Sequence, residues 1–169
     1  MRFRRTTSGA VLAIVAAVVS LVALATGALG STSPTQTREG YVAQVEPICK
    51  TNTKANERIL ANVRGYIKHG KLPLAATQFR KASEAFGKAT KQIAAIPQPS
   101  SDATKLGKWI GYLEGDTKYL GEIAKALKAE KKSRAQELLV RLEANSRRAN
   151  STVISFEFRY CVINQSKFV

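Results

Sequence analysis

Residues 72–96 read LPLAATQFRKASEAFGKATKQIAAI. Ala75, Phe79, Ala82, Phe86, Ala89, Ile93 and Ile96 recur at alternating spacings of four and three, which puts them on one face of a helix. Small and large residues alternate along that face, as they do where helices pack closely. Gly70 suits the C-cap of a preceding helix and Pro73 the first turn of this one, so residues 68–73 form a tight reversal. Pro97 and Pro99 end the run.

Three further helical patterns flank this one. Tyr41, Val45, Ile48, Asn52, Asn56, Ile59, Val63 and Tyr66 define a first helix over about residues 38–68. Pro47 removes a backbone donor there and disfavours helical geometry at Glu46, so a kink or a fresh start is expected. After the prolines, Ser101 is a good N-cap, and Leu106, Ile110, Leu113, Thr117, Leu120, Ala124 and Leu127 mark a third helix. Ser133 with Gln136 resembles a capping box opening a fourth helix through Leu139, Leu142, Ser146, Ala149, Val153 and Phe156. No stretch alternates as a strand would. The expected fold is all-α, an antiparallel up-down-up-down four-helix bundle over residues 37–169.

The start of the chain is of another kind. Arg2, Arg4 and Arg5 precede an apolar run over residues 10–29, and Ala28 and Gly30 are small residues at the right places for a cut before Ser31. A cleaved signal usually has about 7 to 15 apolar residues and a spanning helix about 20. Residues 1–30 therefore read as a signal peptide or an uncleaved signal anchor, with residues 31–36 as a linker. In both cases the arginines stay inside, and the rest is extracytoplasmic, secreted or held on the outer face of the cytoplasmic membrane.

The whole chain has 169 residues, 44% of them apolar, enough for one core. Its formal charge is +15, and the opening segment accounts for only three of the cations. Such an excess favours anionic partners: wall polymer, lipid head groups or an acidic protein. Export argues against nucleic acid, and membrane contact would come through the N-terminal segment if it is retained.

Cys49 and Cys161 are the two cysteines. In an oxidising compartment they are expected to pair, and in the predicted bundle they lie at the same end, on the first and last helices. Closing a loop of roughly 100 residues contributes about 4.7 kcal/mol in the chain-entropy account, an upper figure. The opening helix with seven residues between Tyr41 and Cys49, and the closing aromatic-rich segment Phe156, Phe158, Tyr160 and Cys161, resemble a family of small exported helical proteins of actinobacterial type. Many of those relatives look like lipoproteins, and this chain departs from them in having no cysteine at the signal cut. The resemblance, which covers most of residues 37–161, implies export and the bridge but no activity.

Catalytic chemistry finds little support. His69 is the one histidine, expected as a solvated loop residue, and no Glu-x-x-His pair, haem-attachment motif or metal-ligand spacing occurs. Glu114 and Asp116 are two apart on a helix, point to different sides, and are expected to be solvated or paired with Lys118. No cofactor is expected, and the chain does not read as an enzyme. Two binding sites remain. Arg64, Lys68, Lys71, Lys125, Lys128, Lys131, Lys132 and Arg134 fall at the two reversals of one pole and form a candidate basic tip for an anionic partner. The alternative to that first reading is a crevice at Gly107, Gly111 and Gly115, with Trp109 and Tyr112 beside them, in which the chain would act as a small-ligand carrier or extracytoplasmic sensor.

Overall fold

The computed structural model describes residues 36–164. The expected signal or anchor at residues 1–30 lies outside them. All regular elements among the described residues are helical: α1 (Arg38–Leu60), α2 (Val63–Lys68), α3 (Leu72–Ala94), α4 (Ala103–Lys128) and α5 (Lys132–Thr152), with single 3-10 turns at Ser100–Asp102 and Ile154–Phe156. They form a helical bundle in which α4 packs along both α3 and α5, α1 packs on α3, and α1 and α5 stand apart.

The core falls into two clusters. One joins Leu60, Val63, Leu72, Phe79, Leu127 and Leu138, and so gathers the end of α1, the reversal into α3 and the reversal between α4 and α5. The other joins Tyr41, Val45, Ile93, Leu106, Trp109 and Val153 with Phe156, Phe158 and the two cysteines.

The two reversals share one backbone design. Lys71 N donates to Tyr66 O at 2.7 Å and Gly70 N to Ile67 O at 3.1 Å; Lys131 N donates to Ala126 O at 2.9 Å and Glu130 N to Leu127 O at 3.0 Å. Both are Schellman closures, which need a left-handed residue after the helix. Gly70 takes φ 70° freely, whereas Glu130 takes φ 56° with a side chain to accommodate.

Several local expectations give way. Pro47 lies inside α1 without ending it. It sits on the exposed face with Ala43, whose freed carbonyl water can serve, while Tyr41, Val45 and Cys49 stay buried on both sides of it. The break comes instead at Ala61 and Asn62, where Asn62 leaves helical geometry at φ −103°, ψ 4°. Ser101 caps nothing: it lies within the 3-10 turn, and Asp102 precedes α4. Asp102 makes no capping bond either, because its oxygens accept from Arg38 Nε at 2.9 Å and Nη2 at 2.7 Å. Ser133 forms no capping box, since α5 already begins at Lys132 under the Schellman closure.

The closing segment differs most from expectation. α5 stops at Thr152, the turn at Ile154–Phe156 follows, and Glu157 reverses the chain at φ 53°. Cys161 therefore lies on a non-helical strap, residues 157–164, and not on the last helix. The strap reaches α1 through Glu46, whose carboxylate accepts from Arg159 N at 2.6 Å and Tyr160 N at 3.1 Å, and through the Cys49–Cys161 disulfide. It reaches α5 through Asn150, which donates to Ile163 O and accepts from Ile163 N, both at 2.9 Å. The gap between the first and last helices is bridged in this way.

Candidate functional site

On α4, Trp109, Leu113, Asp116 and Leu120 follow at spacings of four, three and four, a single inward stripe. Together with Asn52 and Asn56 of α1, Phe86 and Thr90 of α3, Leu142 of α5 and the strap residues from Tyr160 onward, this stripe lines a cavity of about 100 Å³. Its walls are mostly apolar; of its polar side chains Asn56, Thr90 and Asp116 are buried, whereas Asn52, Thr53 and Tyr160 are half-buried and Asn164 is exposed.

Asp116 is 1% exposed. Its Oδ1 accepts from Asn145 Nδ2 at 2.8 Å and its Oδ2 from Ser146 Oγ at 2.6 Å. Burial pushes its carboxyl up to about 6, although both hydrogen bonds act the other way. Asn56 donates through Nδ2 to Asn52 O at 3.2 Å and Oδ1 at 2.8 Å, leaving its own Oδ1 without a protein partner. Trp109, fully buried, stacks on Phe158 with ring centroids 5.2 Å apart, and its Nε1 also lacks a protein partner. An unpaired buried donor or acceptor costs about 1–3 kcal/mol, so two on one small cavity call for an occupant or for water. Tyr41 has a third such atom, its hydroxyl, and burial pushes that phenol up to about 12. It belongs to the strap-end core and is not among the cavity-lining residues.

No family model, no curated protein and no solved structure matches this chain. The chemistry of the cavity is thus read from its own atoms.

The glycine stripe and Trp109 do not come together. Gly107 and Gly111 are exposed, with open space where a Cβ would stand. Gly115 is covered by Asn145, whose side chain would lie 3.0 Å from an added Cβ. Trp109 points from the opposite side of α4 into the core, and Tyr112 lines a shallow groove with Lys108, Arg147 and Arg148. A crevice spanning all five is not formed, because adjacent glycines four apart leave one stripe while Trp109 lies about 160° from the midpoint of that stripe on a 3.6-residue turn. Of the basic residues, Lys68, Lys71, Lys125, Lys128, Lys131 and Lys132 are exposed at the two reversals, whereas Arg134 donates to Glu137 Oε2 at 2.6 Å.

Asp116 was the residue that sequence reasoning missed. It lies three beyond Leu113 and four short of Leu120, squarely on the inner stripe, and its expected solvation or pairing with Lys118 is not found. Glu114 is exposed, as its different side of the helix requires. Asn56 and Ser146 were already on predicted inner faces, and a polar residue there demands a partner. Among the described residues no group of three metal-ligating side chains exists, and no helix is long and apolar enough to cross a membrane.

Proposed function

We propose that this chain is an exported, non-enzymatic module that carries or senses a small ligand in the cavity between α1, α3 and α4, beneath the strap. The observation that carries the reading is the pair of buried, unpartnered polar atoms, Asn56 Oδ1 and Trp109 Nε1, on residues lining one largely apolar cavity. Drug-sized ligands occupy roughly 300–1,000 Å³, so about 100 Å³ calls for a far smaller molecule. The two core clusters support the up-down-up-down antiparallel order, and the Cys49–Cys161 bridge is compatible with an extracytoplasmic, secreted or surface-anchored location.

Native mass spectrometry of the protein recovered from its host tests this. A small-molecule adduct is expected on the wild type and absent from an Ala89→Leu variant, whose added carbons fill the cavity. A wild type that carries no adduct would remove the reading. The same spectrum reports signal processing and the disulfide.

The exposed lysines at the two reversals support a second reading, a basic pole that contacts anionic wall polymer, lipid head groups or an acidic protein. Helix ends attract two or three lysines on their own account, fewer than the six exposed here. Salt-dependent sedimentation with anionic vesicles is expected to weaken when Lys128, Lys131, Lys132 and Arg134 are all changed to Ser. Equal retention of both proteins sinks it.

A further inference from the structure

The cavity has a sign. Its one carboxylate is Asp116, and no lysine, arginine or histidine is among the residues that line it. The chain carries 27 lysines and arginines, so the lack of a protein cation at this carboxylate is not a matter of scarcity. Both oxygens are instead met by neutral groups from α5, Asn145 and Ser146. On the cavity wall the groups from α1 are Asn52, Thr53 and Asn56, and from α3 Thr90, all neutral; Tyr160 of the strap is the other titratable side chain. Buried carboxylates are ordinarily paired with a cation or neutralised, because an ionised group in a low dielectric is costly to leave alone.

The remaining vacancies complete the pattern. Asn56 Oδ1 is a free acceptor, suited to an N–H of the same ligand. Trp109 Nε1 is a free donor, suited to a neutral oxygen. Phe79, Phe86 and the Trp109 ring supply apolar and aromatic wall, which favours an organic cation over a hydrated metal ion. An anion finds no positive group on this wall.

Resting on the small-ligand reading above, we infer that the ligand is a small primary amine bearing a neutral oxygen, with Asp116 as its counter-charge, Asn56 as acceptor and Trp109 as donor. Volume limits it: an apolar cavity of about 150 Å³ takes a benzene ring, so this one, of about 100 Å³, takes a smaller molecule. As Asp116 protonates, the counter-charge is removed and the preference for a cation goes with it.

The test is calorimetric titration of the oxidised protein at pH 7.5 with three probes of matched length: 2-aminoethanol, 1,2-ethanediol and glycolate. The amine is expected to bind at least tenfold more tightly than the diol, and the glycolate not at all. Asp116→Asn should erase the amine's advantage over the diol, and lowering the pH to 5 should do the same in the wild type. Equal binding of amine and diol, an advantage that survives Asp116→Asn, or no binding of the amine would each overturn the assignment. An adduct in the native spectrum alongside any of those results would leave the cavity as a ligand site for another class. The absence of both would remove the two together.

Discussion

Where α2 turns into α3 and α4 into α5, the core is mainly alanine and leucine, and each reversal is closed by backbone bonds reaching no further than five residues. At the opposite end the core is aromatic, with Phe158 stacked between Trp109 and Phe156. That end is closed by groups far apart in sequence: Cys49 to Cys161, Arg38 to Asp102, Glu46 to the strap backbone. Local closure costs little loop entropy and needs no covalent help, whereas joining the first helix to the last residues does. The cavity lies between the two regimes, on the side where α1 and α5 fail to meet.

The largest test of this contrast is to cut the long-range tie. Changing Cys49 and Cys161 together to Ser should lower stability by about 2–5 kcal/mol, a fall in Tm of roughly 10 °C. Hydrogen exchange should rise first in the strap and the N-terminal half of α1, with the reversals near residues 70 and 130 still protected. Uniform loss of protection would break the comparison.

Acid probes the middle. Asp116 has a folded value of about 6 against 3.8 for the free group, so between those values the folded state holds more protons than the unfolded one. Its contribution is therefore favourable below about pH 4 and is lost as pH rises through 6, a change on the order of 3 kcal/mol. Asp102 runs the other way: hydrogen bonding to Arg38 holds its carboxyl below the usual range, and the stabilisation present above that range is lost on acidification. Urea melts from pH 4 to 7.5 should show a decline with rising pH that Asp116→Asn flattens. A wild type with no such decline would mean that Asp116 is not held in a buried site.

The smallest effect belongs to the local end. Replacing Glu130 by Gly relieves a left-handed residue and should raise stability by about 1 kcal/mol, and Gly70→Ala should lower it by a similar amount. Paired urea midpoints decide this, and shifts of equal sign would show that the two reversals are not equivalent.

This division also explains what could be read from the chain. Gly70, Pro73, Pro97 and the inner faces of α3 and α4 follow from local rules, and the structure keeps them. Pro47 and Ser101 obey the same rules in isolation but are overruled, the first by burial on either side of it and the second by the turn that lets Asp102 reach Arg38. The strap was read as helix because Phe156, Phe158 and Tyr160 are apolar, while the left-handed Glu157 that turns the chain has no local signature. Cys161 meets Cys49 all the same, since the order of the helices brings the ends together without regard to the path between them. Of the candidate site, Trp109 lies on the side of its helix away from the glycines it was grouped with, and the spacing that separates Asp116 from Glu114 does not show that Asn145 and Ser146 of another helix meet it in the core.

The paired reversals have a wider consequence. The same step in numbering that carries Gly70 to Glu130 carries Leu60 to Leu120, Val63 to Ile123, Ala75 to Ala135 and Ala89 to Ala149, all buried at both places. The two reversals thus set a common register for the buried positions on the helices either side of them. Asn56 and Asp116 are counterparts under that step, so a carboxamide after the first register stands where the second has a carboxyl, and the cavity they both line has one charged wall and one neutral one.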